Sequence, residues 1–314
     1  MRAYAAAGCL LLLSTVAASD GPQTRASDRS LLVLTISAPS SSFVLYEPVA
    51  IRCHVDNPTA QTIQAIVNEE IGSAGVEFAI TGPDGTTWKY RPSELPADRT
   101  VVDAFQAPGS VADFDAELSW NAATGDWTFP GPGKYHIAAR MGVGVDPEPI
   151  RIDSAELEIE ITAPLEVDEK LMASFPTRET FLSLLRHGTS AYCRGTAGPA
   201  CFEELDRIIW RNKRSAYAPG LEWNLAESVA SGLLLVTPRE STAIELLGHF
   251  LKQWPSNPNA PRVMYRLAML LDQAGRHRDA ADVIQTFERK YPDRKGLLEH
   301  LKNNLVGAKR SASS

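Results

Sequence analysis

The residues able to do chemistry in this chain are few and scattered. Six histidines, His54, His136, His187, His249, His277 and His300, lie far apart, and no two share a spacing that offers both rings to one metal ion. Each is read as a surface or satisfied core histidine. Asp113, Asp115 and Glu117 alternate along one run, so their carboxylates share a strand face. Three such carboxylates can floor a calcium site. The plainer reading is the solvent face of a strand whose other face carries Phe114, Leu118 and Trp120. Cys193 and Cys201 flank the segment RGTAGPA, and in an oxidising compartment such a pair can close a local disulfide. Only His187 lies near them, which is too few ligands for a metal. Cys53 alternates in step with Val49, Ile51 and Val55 and is read as a small buried residue. The chain has no nucleophile elbow, no HExxH, no phosphate-cradling glycine loop and no dinucleotide fingerprint. The expectation is therefore a protein that is not an enzyme, with no metal and no cofactor.

The elements that must position these residues fall into two kinds. The chain has 314 residues, 44% apolar and 22% charged, which suits two domains with cores of their own. Arg2, an apolar run over 5–18 and the small residues Ala17, Ala18 and Ser19 read as a cleaved signal peptide over 1–19. No other stretch has the roughly 20 apolar residues of a membrane span. A flexible leader follows over 20–30. From 31 to 164 the pattern has period two, in Leu32–Leu34–Ile36, Val76–Phe78–Ile80, Tyr135–Ile137–Ala139–Met141 and Leu157–Ile159–Ile161, with a turn at Gly82-Pro83-Asp84-Gly85. Seven or more short strands predict an antiparallel sandwich. A linker is expected over 165–176. From 177 to 306 the period becomes helical, with helices near 178–187, 200–211, 222–235, 238–253, 261–273, 276–290 and 295–305. A disordered tail is expected over 307–314.

Two segments carry family resemblances. The stretch FPGPGKYHI, residues 129–137, is similar to the entry into a late strand of bacterial immunoglobulin-like or fibronectin-like domains. That resemblance implies a corner closed by the Tyr135 hydroxyl on backbone. Residues 261–292 place Leu267, Ala268, Leu271, Ala280, Ile284 and Phe287 on the facing sides of a hairpin, with Gly275 between its halves and Pro292 at its end. Thirty-seven residues upstream, Ala243, Leu246, Leu247, Phe250, Trp254 and Pro255 repeat the later Ala280, Val283, Ile284, Phe287, Tyr291 and Pro292. The unit resembles the tetratricopeptide repeat. The resemblance implies peptide binding along a groove, and the matching positions are Arg262, Tyr265, Met269, Asp272 and Gln273. The expected fold class is thus multidomain: an all-β immunoglobulin-like sandwich followed by all-α tetratricopeptide-like hairpins.

Charge divides unevenly. Residues 20–164 hold 9 basic and 21 acidic side chains, a net of −12, and residues 165–314 hold 21 and 17, a net of +4. The acidic half makes nucleic acid a poor partner, and the opposed signs would let the halves dock. The expected function is a secreted or periplasmic adaptor or scaffold that binds other proteins through its helices. The alternative is a carbohydrate or surface-polymer binding module in which Trp88, Tyr90 and Trp127 form a stacking platform on the sandwich.

Overall fold

The protein is described by a computed structural model covering residues 32–60, 63–68, 76–91, 101–106, 111–143, 150–193, 198–234, 239–292, 294, 297–298, 301–302 and 305. The expected signal peptide, leader and tail lie outside these residues. Two sheets face one another. The smaller is antiparallel, with β1 (Val33–Ser37) and β8 (Val111–Leu118) on either side of β3 (Val49–Asp56). The larger contains β2 (Ser42–Val44), β4 (Ile63–Asn68), β5 (Val76–Thr81), β6 (Thr87–Lys89), β7 (Val101–Gln106), β11 (Gly133–Val143), β12 (Ile150–Asp153) and β13 (Leu157–Thr162). A short ribbon of β9 (Trp120–Asn121) and β10 (Asp126–Trp127) stands apart.

Alternation decides which side chains enter the space between the sheets. Val49, Ile51, Cys53 and Val55 of β3 are fully buried, and Ile137, Ala139 and Met141 meet them from β11. Burial pushes the Cys53 thiol up to about 12, so it is an inert core residue. At the start of β11, the Tyr135 hydroxyl donates to the Gly131 carbonyl at 2.7 Å. Gly133 has φ +145°, and a Cβ there would lie 2.4 Å from Pro83 Cγ, so only glycine fits.

Among the described residues eight helices follow: α1 (Glu166–Met172), α2 (Arg178–His187), α3 (Thr189–Tyr192), α4 (Gly198–Arg211), α5 (Ala218–Ala230), α6 (Arg239–Gln253), α7 (Ala260–Gln273) and α8 (His277–Lys290). Thr177 caps α2 by accepting from the Thr180 amide at 3.0 Å, and Pro219 and Pro261 sit in the first turns of α5 and α7. A disulfide joins Cys193, after α3, to Cys201 of α4. Phe250 and Trp254 meet with ring centroids 5.4 Å apart at 63°, and Phe287 and Tyr291 meet at 5.4 Å and 60°. No helix among the described residues is long and apolar enough to cross a membrane.

The expected division into an all-β sandwich and an all-α array is corrected by this arrangement, which is a mixed α/β one. The larger sheet is itself mixed: β2 runs parallel to β13, in the register Ile161 against Phe43, while its other pairings are antiparallel. Nor do strands and helices keep separate cores, because Val44 and Tyr46 pack into the apolar cluster of the helices. The expected linker at 165–176 is also part of the packed body. It folds as α1, and Leu171, Met172 and Phe175 are buried in the helical cluster. Asp168 reaches back to the Leu165 amide at 3.0 Å, a local bond that lets so short a helix start immediately after a strand.

Candidate functional site

Two contacts join the strands to the helices. The first is the turn that leaves β2. Tyr46 holds φ +74°, a conformation that side-chain-bearing residues adopt only under constraint. Its ring meets Trp127 edge-on at 5.2 Å, and Trp127 meets Trp120 at 6.0 Å. Helix α2 covers both ends of this aromatic row. Arg178 lies 5.5 Å from the Tyr46 ring and Arg186 lies 3.5 Å over Trp120. The two arginines are eight positions apart, roughly 12 Å along a helix. Beneath the turn, the Tyr217 hydroxyl donates to the Leu45 carbonyl at 2.6 Å. Tyr217 is held by its neighbours: buried Asp168 accepts from Ser215 Oγ and from the Ala216 amide, both at 2.8 Å. Glu47 closes the turn by accepting from the Val44 amide at 2.8 Å. Burial pushes its carboxyl up to about 7, and the nearby Asp168 charge adds to the effect.

The second contact is charged and open. A crevice of about 440 Å³ lies between β3, β8, the turn 255–259 and the start and end of the last hairpin. Its walls carry Arg52, Arg262, Lys290 and Arg294 against Asp115. Asp115 faces Arg52 across the ladder. It binds Arg294 Nη1 through both carboxylate oxygens at 2.8 Å, and its backbone carbonyl accepts from Arg262 Nη2 at 3.3 Å. Arg262 also lies 4.0 Å from the Glu117 carboxylate. The Asp115–Glu117 face of β8 is therefore the seat for arginines from the helices, not an open ledge. The side chain of Asp113 lies outside the described residues. Among the described residues no three His, Cys, Asp or Glu side chains converge as metal ligands would.

The five groove positions do not form one free surface. Arg262 is engaged with β8, as above. Tyr265 and Met269 pack with Leu301 and Leu305, so the chain's own C-terminal segment covers them. Asp272 pairs with His277 Nδ1 at 2.7 Å across the α7–α8 turn, and Gln273 is exposed at the same turn. The aromatic platform is not presented either: Tyr90 and Trp127 are buried, and Trp88 packs against the strand core with its ring edge-on to Tyr135. Tyr90 spends its hydroxyl on the Glu117 carbonyl at 3.1 Å.

Sequence reasoning missed Trp210. In α4 the core stripe is Leu205 and Ile209, and Trp210 falls beside it, 37% exposed. Its ring meets His249 of α6 edge-on at 5.6 Å, with Lys213 Nζ 5.4 Å from its centroid. An apolar residue one step off a helical stripe was a readable signal. Glu222 was missed too. It is buried in α5, its Oε1 has no hydrogen-bond partner, and burial with the Asp206 charge pushes it up to about 7.

No family model matches the chain, and no curated protein does. Among solved structures it is similar to a Bordetella pertussis protein named as ApaA, at 13% identity over 41% of this chain and 93% of that one, with a TM-score of 0.27. It is also similar to the sporulation control protein Spo0M of Bacillus subtilis, at 10% identity over 46% and 54%, TM-score 0.25. A third is the alkylpurine DNA glycosylase AlkC of Pseudomonas fluorescens, at 13% identity over 43% and 31%, TM-score 0.24. Likeness at this level fixes neither fold nor activity.

Proposed function

We propose that this chain is a non-catalytic adaptor or scaffold, secreted or periplasmic, that binds another protein through its helical half. The observation that carries the proposal is Trp210. A large aromatic ring stands exposed on the outer face of α4, bracketed by His249 and Lys213, while comparable rings elsewhere in the helices are turned inward. Tryptophan is the residue type that anchors protein interfaces most often. The partner-facing surface we favour is therefore the α4–α6 face, since Tyr265 and Met269 of the groove set are already covered by Leu301 and Leu305. The Cys193–Cys201 disulfide supports an oxidising compartment.

The test is crosslinking of the full chain in envelope extract, identification of retained proteins, and reconstitution with the purified partner. We expect Trp210→Glu to abolish retention and Tyr265→Glu with Met269→Glu to leave it, provided each variant melts cooperatively. Retention unaffected by Trp210→Glu, or retention of glycan alone, overturns the proposal.

A further inference from the structure

Helix α4 is polarised in charge, and Trp210 stands at its cationic end. Glu203, Glu204 and Asp206 precede it, with Arg207 one turn after the first two. From 207 to 221 the chain then holds Arg207, Arg211, Lys213 and Arg214 and no acidic residue. Arg211 and Arg214 are exposed, and among the described residues their side chains make no ion pair or hydrogen bond. Elsewhere in the helices Lys170, Arg266 and Arg276 pair with Glu166, Glu227 and Asp279. Acids that approach from other elements do not neutralise this end. Asp168 of α1 is buried and bonded to Ser215 and the Ala216 amide, and Glu169 has no ion pair among the described residues. On α6, Glu245 and Lys252 stand one turn to either side of His249 and cancel. A helix dipole favours a cation within the last turn. That accounts for Arg211 but not for Lys213 and Arg214, which lie beyond the end of α4.

The loop that carries these cations is fixed. Asn212 Nδ2 donates to the Ile208 carbonyl at 2.9 Å, the Lys213 carbonyl accepts from Trp254 Nε1 at 3.1 Å, and Ser215 Oγ donates to Asp168 at 2.8 Å. A frame already in place lowers the ordering cost of binding. Tryptophan with arginine is the pairing that interface cores favour, and a guanidinium meets a carboxylate through two parallel hydrogen bonds. A membrane surface suits the face less well, because Leu205 and Ile209 of α4 are buried in the core and leave one ring to insert. The strand half of a second copy suits it less well too, since Glu156 and Glu158 on its edge already face Lys134 and His136.

We propose that the partner received at Trp210 is an acidic segment of another protein, whose carboxylates pair with Arg211 and Arg214 while an apolar side chain beside them seats on the Trp210 ring. This rests on the adaptor proposal and names the chemistry of its partner. The ring supplies the anchor and the arginines supply the choice: a neutral or basic segment of the same shape leaves them unpaired. The carboxylates are drawn in from a distance, so association is fastest at low salt and slows as salt screens the cations.

The test uses the full chain and three labelled peptides, a repeat of Glu-Glu-Phe-Ser and its versions with Gln or Lys in place of Glu, read by fluorescence anisotropy. The expected result is saturable binding of the Glu peptide, about tenfold tighter than the Gln peptide, with no binding of the Lys peptide. Arg211→Glu with Arg214→Glu should abolish binding of the Glu peptide and admit the Lys peptide. Arg278→Glu with Arg289→Glu, on the exposed side of α8, should change nothing. Equal binding of the Glu and Gln peptides, or equal losses in the α4 and α8 variants, overturns the proposal. So does tighter binding to phosphatidylglycerol vesicles than to the Glu peptide, or self-association that the Arg211–Arg214 variant loses. The envelope capture separates the two proposals. Proteins lost with Trp210→Glu but kept by the Arg211–Arg214 variant overturn the acidic partner and leave the adaptor, whereas capture of no protein by the unaltered chain overturns both. Melting each variant alone confirms that these surface changes leave the fold intact.

Discussion

The two contacts between strands and helices are built on opposite principles. The turn at Leu45–Glu47 is inserted: its tyrosine ring, carbonyl and carboxyl are enclosed by α2, α1 and Tyr217, and its polar groups find partners within the protein. The crevice at Asp115 is only bridged: Arg294 and Arg262 reach across it to Asp115 and Glu117, and the buried Nε of Arg294 is left without an acceptor. An enclosed, fully bonded contact fixes geometry. A bridged contact holds the same elements together through a few long side chains. The difference shows two ways in which one seam is held.

The sharpest way to break this comparison is at Tyr217. Tyr217→Ala removes a ring that is 2% exposed together with the bond to Leu45. We expect a loss of about 4 kcal/mol in denaturant unfolding. A loss below about 1 kcal/mol, the usual effect of a surface change, would mean the turn is not what anchors the halves.

A second test uses pH. A carboxyl whose value is raised from 4.5 to about 7 in the fold favours the folded state while it is protonated. Below pH 4.5 the folded and unfolded forms are both protonated and the contribution is complete. As pH rises toward 7 the unfolded chain ionises first, so stability falls across that window and then levels. Glu47→Gln should flatten the fall by roughly 2 kcal/mol, less than the full shift because Glu47 keeps some solvent contact. An unchanged profile would place Glu47 in water and open the turn.

The smallest effect is expected at the bridged contact. Asp115→Asn removes the charge opposite a largely buried Arg294 and one of its two acceptor oxygens, and should cost about 1.5 kcal/mol with little dependence on salt. A loss as large as that of Tyr217→Ala would make the bridged contact as much an anchor as the inserted turn.

How much of this was written locally in the chain follows the same division. The alternation of Val49, Ile51, Cys53 and Val55 revealed β3 because a strand buried on one face repeats every two residues. Helix α2 was expected near 178–187 and spans Arg178–His187, its first turn closed by a local bond to Thr177. The hairpin α7–α8 was legible from its small residues and Gly275, whose φ of +74° lets the turn form. The seam was not legible. Arg294 and Asp115 are 179 positions apart, and Tyr217 and Leu45 are 172 apart. Nothing in the neighbourhood of either residue announces the other. The groove positions were misleading for a related reason: helical periodicity shows that a face is apolar, but it cannot show that Leu301 and Leu305 already cover it. Helix α1, between Pro164 and Pro176, was hidden because its seven residues carry too few turns for a period to show.

The parallel pairing of β2 with β13 has a consequence in time. Phe43 accepts a hydrogen bond from Thr162, 119 residues later, and the Leu45 amide bonds the Thr162 carbonyl. A chain emerging from its N-terminal end must therefore hold the 42–46 segment in waiting until the last strand has been made. Only then can that segment be clasped, and only then does the helical cluster receive Val44 and Tyr46. The strands are thus complete only where the helices begin, and Tyr46 cannot meet Arg178 of α2 until that helix, more than a hundred residues later, has been made.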